Sequence, residues 1–262
     1  MQSLSIAATG MLAQQRNVEV ISNNIANLNT VGYKRQRAEF QDLLYQTIER
    51  AGALSSATGT TVPNGIQIGA GVKTGSVYRI TEQGAVTSTG NDFDMAISGK
   101  GYFRVELPDG REAYTRAGNF GISSDGRIVT EDGYEVLPGI SLPEDVVDVS
   151  ISKDGVVEAR VAGDQSAREI GRLDLAVFFN ESGLEAIGDN LLLETTASGE
   201  PVIGNPGDPG FGSVLQGYLE NANVDPVQEI TTLIAAQRAY EMNARVIETS
   251  DEMLSINANL RR

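Results

Sequence analysis

Residues 225–260 read DPVQEITTLIAAQRAYEMNARVIETSDEMLSINANL, and this stretch decides the fold. It opens Asp225-Pro226-Val227-Gln228: a carboxylate at an N-cap, a proline at the first helical position, and a glutamine placed to reach back as half of a capping box. Neither glycine nor proline follows Pro226 before the end of the sequence. Ala235, Ala239, Met242, Val246, Thr249, Met253, Ile256 and Leu260 recur at alternating steps of four and three, the spacing of a heptad seam. Leu233, Ala236, Tyr240, Ile247 and Leu254 form a second apolar stripe beside it. A helix of this length reaches about 50 Å at ~1.5 Å per residue. Two stripes exceed what one partner helix needs, so the helix is expected to touch more than one neighbour.

Residues 3–28 repeat the pattern at the other end. Ser3 is the expected N-cap, and Leu4, Ala7, Met11, Gln14, Val18, Ile21, Ile25 and Leu28 follow the same alternation. Gly10 weakens this helix by up to about 1 kcal/mol relative to alanine. Asn29-Thr30-Val31-Gly32 is expected to stop it, because Asn29 and Gly32 both tolerate left-handed backbone. Ser22, Asn23, Asn24 and Asn27 set a polar stripe beside the seam, either solvated or hydrogen bonding between helices. Isolated helices are barely favourable in water, so both ends are expected to be largely disordered in a dilute single chain. Lys34, Arg35 and Arg37 make a small basic cluster whose expected partner is the acidic middle of another copy.

Between the ends the signals change. Asp42 to Arg50 could continue a helix; residues 51–61 are small and flexible; Pro63-Asn64-Gly65 marks a turn before the strand-like Ile66-Gln67-Ile68. A hairpin arm or extended insertion fits this region best. From Thr74 to about Gly212 short alternating runs are separated by Asp109-Gly110, Asp125-Gly126, Asp132-Gly133 and Asp154-Gly155, the chemistry of hairpin turns. Leu173 to Phe179 reads as the most buried strand. The expected fold is therefore α+β: long N- and C-terminal helices pairing as a coiled-coil-like module, an inserted antiparallel β domain, and an extended β-hairpin-like arm. The expected boundaries are 1–30, 31–75, 76–215 and 216–262.

The 262-residue chain has no cysteine and no histidine, and a formal net charge of -15 that falls mostly on the middle. Missing histidine removes the commonest general base and metal ligand together. The acidic balance argues against nucleic acid and anionic membrane as partners. No apolar run approaches the ~18 residues of a membrane span, and no cleavable signal is visible at the N-terminus. Ser98-Gly99-Lys100 is the one serine–lysine neighbourhood, and it reads as a turn between strands. Neither Gly99-Lys100 nor Gly69-Ala70-Gly71 has the spacing of a phosphate or dinucleotide loop. A glycosidase could use two carboxylates such as Asp92 and Asp94. Such grooves are usually lined with aromatics, and this chain has eight tyrosines, seven phenylalanines and no tryptophan. Calcium at Asp92 and Asp94, or around Asp208, lacks a full ligand loop. No catalytic residue, cofactor or metal is expected.

Ser22-Asn23-Asn24-Ile25-Ala26-Asn27, continued by Asn29-Thr30 and Gly32-Tyr33-Lys34, resembles the N-terminal signature of bacterial flagellar rod and hook proteins. Gln216-Gly217-Tyr218-Leu219-Glu220 with Asn223-Val224, then Ala236 to Glu241 and Thr249 to Leu254, is similar to their C-terminal signature. Ala222 stands where that pattern usually has serine, a loss of one hydrogen bond at most. Thr61 to Gly71, preceded by the extra run from about Gln46, resembles the insertion of the distal rod branch. Ala113 to Gly118 and Gly183 to Asn190 are similar to that branch as well; a longer proximal rod paralogue is the nearest competitor.

The resemblance implies an axial structural subunit that polymerises helically into a stiff, hollow drive shaft carrying torque from motor to hook. It implies export through the flagellar type III channel without a cleavable signal, and a place in the rod spanning the periplasm. The implied partners are further copies of itself, proximal rod proteins, hook protein, outer-membrane and peptidoglycan ring proteins, a rod cap and the export apparatus. The assembly interface is expected at Leu4, Met11, Val18, Ile21, Asn24, Ile25, Asn27, Leu28 and Tyr33, and at Ala239, Met242, Val246, Met253, Ile256 and Leu260. The insertion near 46–71 is expected to bridge neighbouring subunits, and the acidic middle to keep a rotor from sticking to its ring. A secreted adhesin and a carboxylate hydrolase are the other classes that the residues leave open.

Overall fold

The structure, a computed structural model, describes residues 2–50, 64–143, 145–161 and 167–260. The fold is α+β, with two long helices at the ends of the chain and antiparallel strands between them. It divides into a helical unit, Met1–Ile25 with Gln36–Tyr78 and Asp225–Arg262, and a β unit, Ala26–Arg35 with Arg79–Val224.

In the helical unit, α1 spans Gln2–Ala26 and α2 spans Pro226–Leu260. Asp225 caps α2 as its sequence predicts, its Oδ1 accepting from the backbone N–H of Val227 at 2.9 Å and of Gln228 at 3.3 Å. The two helices meet at three levels, each a heptad or two from the next. Ser3 Oγ lies 3.5 Å from Ser250 Oγ, and Asn24 Nδ2 donates to Glu229 Oε2 at 3.3 Å. At Gly10 a Cβ would sit 2.9 Å from the Asn243 amide nitrogen. Position numbers rise on α1 as they fall on α2, so the helices run antiparallel. The contact line is built from small and polar side chains, which let the two helices approach closely.

Two sequence expectations for the helices need correction. Ser3 is not an N-cap; it lies inside α1, facing Ser250. The helix ends at Ala26, two residues before Leu28, because the Asn27 carbonyl turns to accept from the Thr30 N–H at 3.1 Å. Gly32 then takes φ +68, the left-handed backbone expected of the stop signal.

Strands β1 (Gln36–Asp42), β2 (Tyr45–Glu49), β3 (Ile66–Gly69) and β4 (Val72–Arg79) form a two-stranded antiparallel ribbon. β1 pairs with β4, and β2 with β3 in the register Tyr45↔Gly69 and Gln46↔Ile68. Leu43 N–H to Gly71 O at 2.8 Å and Ala70 N–H to Leu44 O at 3.1 Å join the two halves. The expected helix over Asp42 to Arg50 is therefore wrong. Tyr45, Thr47 and Ile48 are aromatic or β-branched, and Ile66-Gln67-Ile68 supplies a strand for them to pair with. The hairpin-like arm is present; residues 51–61, expected to be flexible, and Pro63 of the expected turn lie outside the described residues. The ribbon docks on α1, where Thr9 Oγ1 accepts from Val72 N–H at 3.3 Å. The Asn24 amide also holds both backbone groups of Gln36, accepting from its N–H at 2.8 Å and donating to its O at 2.9 Å.

The β unit begins with β5 (Val86–Ser88), β6 (Met95–Ser98), β7 (Tyr102–Glu106) and β8 (Glu112–Thr115). Its largest described sheet is centred on β7, flanked by β8 and by Glu135–Val136 and Leu175–Val177. A three-stranded sheet of Val146–Ile151, Val156–Val161 and Arg168–Arg172 stands apart in hydrogen bonding, and β6 pairs with Ser213–Gln216. Apolar side chains from these sheets share one core: Met95, Ile97, Phe103, Val157, Leu173 and Leu175 have no exposed surface, or almost none. Phe103 and Phe120 pack edge to face at 5.0 Å.

All four Asp-Gly signals are turns, with glycine φ between +77 and +85. Each uses the same three-residue loop, as in Leu107 N–H to Arg111 O and Gly110 N–H to Leu107 O, both 2.9 Å. That is the turn whose left-handed third residue suits glycine. The strand expected over Leu173 to Phe179 is shorter, Leu175–Val177; Phe178 is buried but Phe179 is fully exposed, where the strand has ended.

Candidate functional site

Among the described residues the acids and the serine–lysine neighbourhood considered for chemistry do not come together as a catalytic group. Asp94, one of the acids considered for calcium or hydrolysis, spends both oxygens locally: Thr89 Oγ1 donates to Oδ2 at 2.5 Å and Asn91 Nδ2 to Oδ1 at 2.9 Å. No group of three metal-ligating side chains occurs among the described residues. Ser98-Gly99-Lys100 is the turn between β6 and β7, with Gly99 at φ +110.

The residues that bring the chain together lie at its two ends. In the β unit, Glu220 is 1% exposed and sits between two cations. Its Oε1 accepts from Lys34 Nζ at 2.6 Å and from the Gly84 N–H at 2.9 Å; its Oε2 accepts from Arg116 Nε at 2.7 Å. Arg116 gives three further donors to the carbonyls of Ile97, Gly99 and Gly101, tying down the turn between β6 and β7. Lys34 also donates to Glu82 O at 2.8 Å. The backbone makes the same connection: the Gly32 N–H donates to Glu220 O at 2.8 Å and the Asn223 N–H to Tyr33 O at 3.3 Å. Asn223 accepts from the Arg35 N–H at 2.7 Å and donates to Ile80 O and Glu82 O, both at 2.9 Å. Gly32 is required on two counts, its φ of +68 and a Cβ that would lie 2.7 Å from the Ala117 nitrogen.

Burial alone would raise the Glu220 carboxyl; Arg116 and Lys34 overcome it and hold the group below the usual glutamate range. Burial draws Lys34 down from its ordinary value further than Glu220 restores it. A buried carboxylate with two cations and a backbone donor is fully answered, whereas removing it would strand two buried charges. The expectation that Lys34 reaches for another copy is therefore corrected: it is 8% exposed and pairs within its own chain. Arg37 likewise lies 3.3 Å from Glu39.

The predicted interface residues divide. On α1, Ile21 and Asn24 are buried, and Leu4, Met11, Val18 and Ile25 are half-buried. Asn27, Leu28 and Tyr33 are half-buried in the β unit. On α2, Ala239 is half-buried, while Met242, Val246, Met253 and Ile256 are 61%, 44%, 63% and 60% exposed. Leu260 is the last residue of α2, and its side chain lies outside the described ones. The line on α2 that faces α1 is instead Glu229, Ala236, Asn243 and Ser250, with the second stripe's Leu233 and Ile247 half-buried beside it. So the heptad seam with the larger apolar side chains faces outward in a single copy.

Arg116, Glu220, Asn223 and Glu229 carry the connections and were not singled out by sequence reasoning. Three of them lie within the quoted signatures, but nothing local says that a glutamate will meet a lysine 186 residues away.

Comparison with known proteins bears on the same segments. Residues 4–34 match the family model for flagella basal body rod protein, residues 96–159 that for the flagellar hook protein FlgE/F/G D1 domain, and residues 215–260 that for the flagellar basal body rod FlgEFG protein C-terminal region. Flagellar basal-body rod protein FlgG of Caulobacter vibrioides is 62% identical over all of both chains, and its namesake in Bacillus subtilis is 42% identical, again over all of both. FlgF of the same Caulobacter is 33% identical over 96% of this chain and 94% of its own. The likeness to the crystal structure of Helicobacter pylori flagellar hook protein FlgE2 is slight, with a TM-score of 0.25 at 17% identity over 71% of this chain and 43% of that one.

Proposed function

We propose, from the premise that this chain belongs to the flagellar basal-body rod protein family, that it is a structural subunit of the distal rod whose copies stack into a stiff, hollow drive shaft. The distal position is supported by 62% identity to the FlgG of an organism whose FlgF shares only 33%. One observation carries the polymer: the seam of Met242, Val246, Met253 and Ile256 is uncovered along α2. A contiguous apolar stripe left exposed on a helix marks a protein interface. The helix pair reads as a coiled-coil-like module, because its contacts recur at heptad spacing. Leu4, Met11, Val18, Ile25 and the exposed seam then supply the contacts between copies.

In this reading the arm of β2 and β3 braces neighbouring subunits. The rod lies in the periplasm, reached through the flagellar export apparatus. Its ends meet proximal rod proteins and hook protein, its tip a growing cap, and its flank the peptidoglycan and outer-membrane rings. Like charge on shaft and bushing would keep the two surfaces apart at low salt.

Electron microscopy of the concentrated full chain tests the polymer. Tubes or short stacks are expected from the unsubstituted chain and none from Met242→Glu/Met253→Glu. Equal assembly by both chains would refute the reading.

A further inference from the structure

The outward seam of α2 has a counterpart on α1. A groove where α1 meets the ribbon is lined by Thr9, Leu12, Ala13, Arg16, Val72 and Lys73. Its floor is apolar, and Leu12 stands 66% exposed at its edge. Its rims are basic. Lys73 is exposed and meets no carboxylate among the described residues; Arg16 has only Glu19 at 3.5 Å, an exposed pair that contributes little. The seam of α2 is edged the opposite way. Glu241, Arg245, Glu248 and Glu252 follow each other at steps of four, three and four along one side of Met242, Val246 and Met253, three acids to one base. Both surfaces belong to the helical unit.

The groove cannot be filled by the same chain's α2. At about 100° per residue, Leu12 and Arg16 sit roughly 200–240° around α1 from Gly10, which faces Asn243. The seam is likewise turned from the contact line on α2. We propose that the α2 seam of one copy seats in this groove of the next, Met242, Val246 and Met253 against Leu12 and Val72, with Glu248 and Glu252 beside Arg16 and Lys73. The contact rests on the rod reading above and specifies one of its joints. It is heterologous: each copy offers one seam and one groove, so joining two copies leaves one of each unused, and the series stays open. A filament needs that property, and a self-complementary face would lack it.

The test uses two variants of the full chain. Arg16→Glu/Lys73→Glu damages the groove; Val246→Glu/Met253→Glu damages the seam. All four residues are at least 44% exposed or lie on exposed surface, so a single copy keeps its fold. In sedimentation velocity each variant alone is expected to stay a single chain, and their equimolar mixture to give a two-chain species and nothing longer. A third chain, Arg16→Glu/Lys73→Glu with Glu248→Lys/Glu252→Lys, should regain assembly. A mixture that stays monomeric, a charge-swapped chain that does not assemble, or a groove variant that assembles like the parent would overturn the joint while leaving the rod reading standing. An unsubstituted chain that is monomeric at every concentration would overturn both.

Discussion

The β unit and the helical unit use their apolar side chains in opposite ways. In the β unit the largest apolar cluster points inward: Met95, Ile97, Phe103, Leu173 and Leu175 are fully buried, and even the charged Glu220 is answered within the unit. In the helical unit the buried apolar side chains are mostly small, Ala7, Ala13 and Ala236 with Val20 and Ile21. The contact between its helices is lined by Ser3, Gly10 and Asn24 against Ser250, Asn243 and Glu229. The larger side chains, Met242, Met253 and Ile256, look outward. Burial is the main favourable term in folding. One unit therefore builds a core of large side chains within the chain, and the other leaves much of its burial for contacts between chains.

The comparison breaks most readily at Glu220. Glu220→Ala leaves Lys34 and Arg116 buried without their counter-charge and is expected to cost about 3–5 kcal/mol, read as loss of the main urea transition. Phe103→Ala should cost a similar ~3–5 kcal/mol by opening a cavity in the same core. If either change left the transition in place, the β unit would not be the self-contained half.

Acid sharpens the contrast. The Glu220 carboxyl lies below its ordinary value when folded, so its contribution is complete above the usual glutamate range and is lost as pH falls through the lowered folded value. Stability of the β unit should thus decline on that acid limb, and Glu220→Gln should flatten it while lowering stability at neutral pH. Circular dichroism melts across the acid range check this.

Gly10→Val probes the helix pair. Its side chain meets the Asn243 amide and is expected to cost roughly 1–3 kcal/mol through overpacking, with partial rescue by Asn243→Ala; helical circular dichroism reports both. The smallest effect on the single chain is expected at the seam. Met253→Ala should change its stability by no more than about 0.5 kcal/mol, yet weaken assembly measurably by light scattering.

Much of this was legible in the residues. Asp225-Pro226 places the start of α2 to the residue, and the four Asp-Gly pairs mark their turns because glycine takes the left-handed backbone there without strain. The seam itself was visible, but not which stripe a single copy covers. That is decided by shape: Gly10 and Ser3 on α1 admit the Asn243 and Ser250 face of α2, where methionines would be too large. Sequence alone misreads Tyr45 to Glu49 because its partner, Ile66 to Gly69, lies some twenty residues further on. Sequence alone misplaces Lys34 because it shows the charge and its neighbours, while the burial depends on Glu220 at the far end of the chain.

Hydrogen–deuterium exchange on the full chain, dilute and then assembled, tests the division of labour most directly. Amides of Tyr102–Glu106 and Leu175–Val177 are expected to be protected in both states. Those of α1 and α2 should exchange orders of magnitude faster in the dilute chain and become protected on assembly. Strong protection of both helices in the dilute single chain would contradict the account.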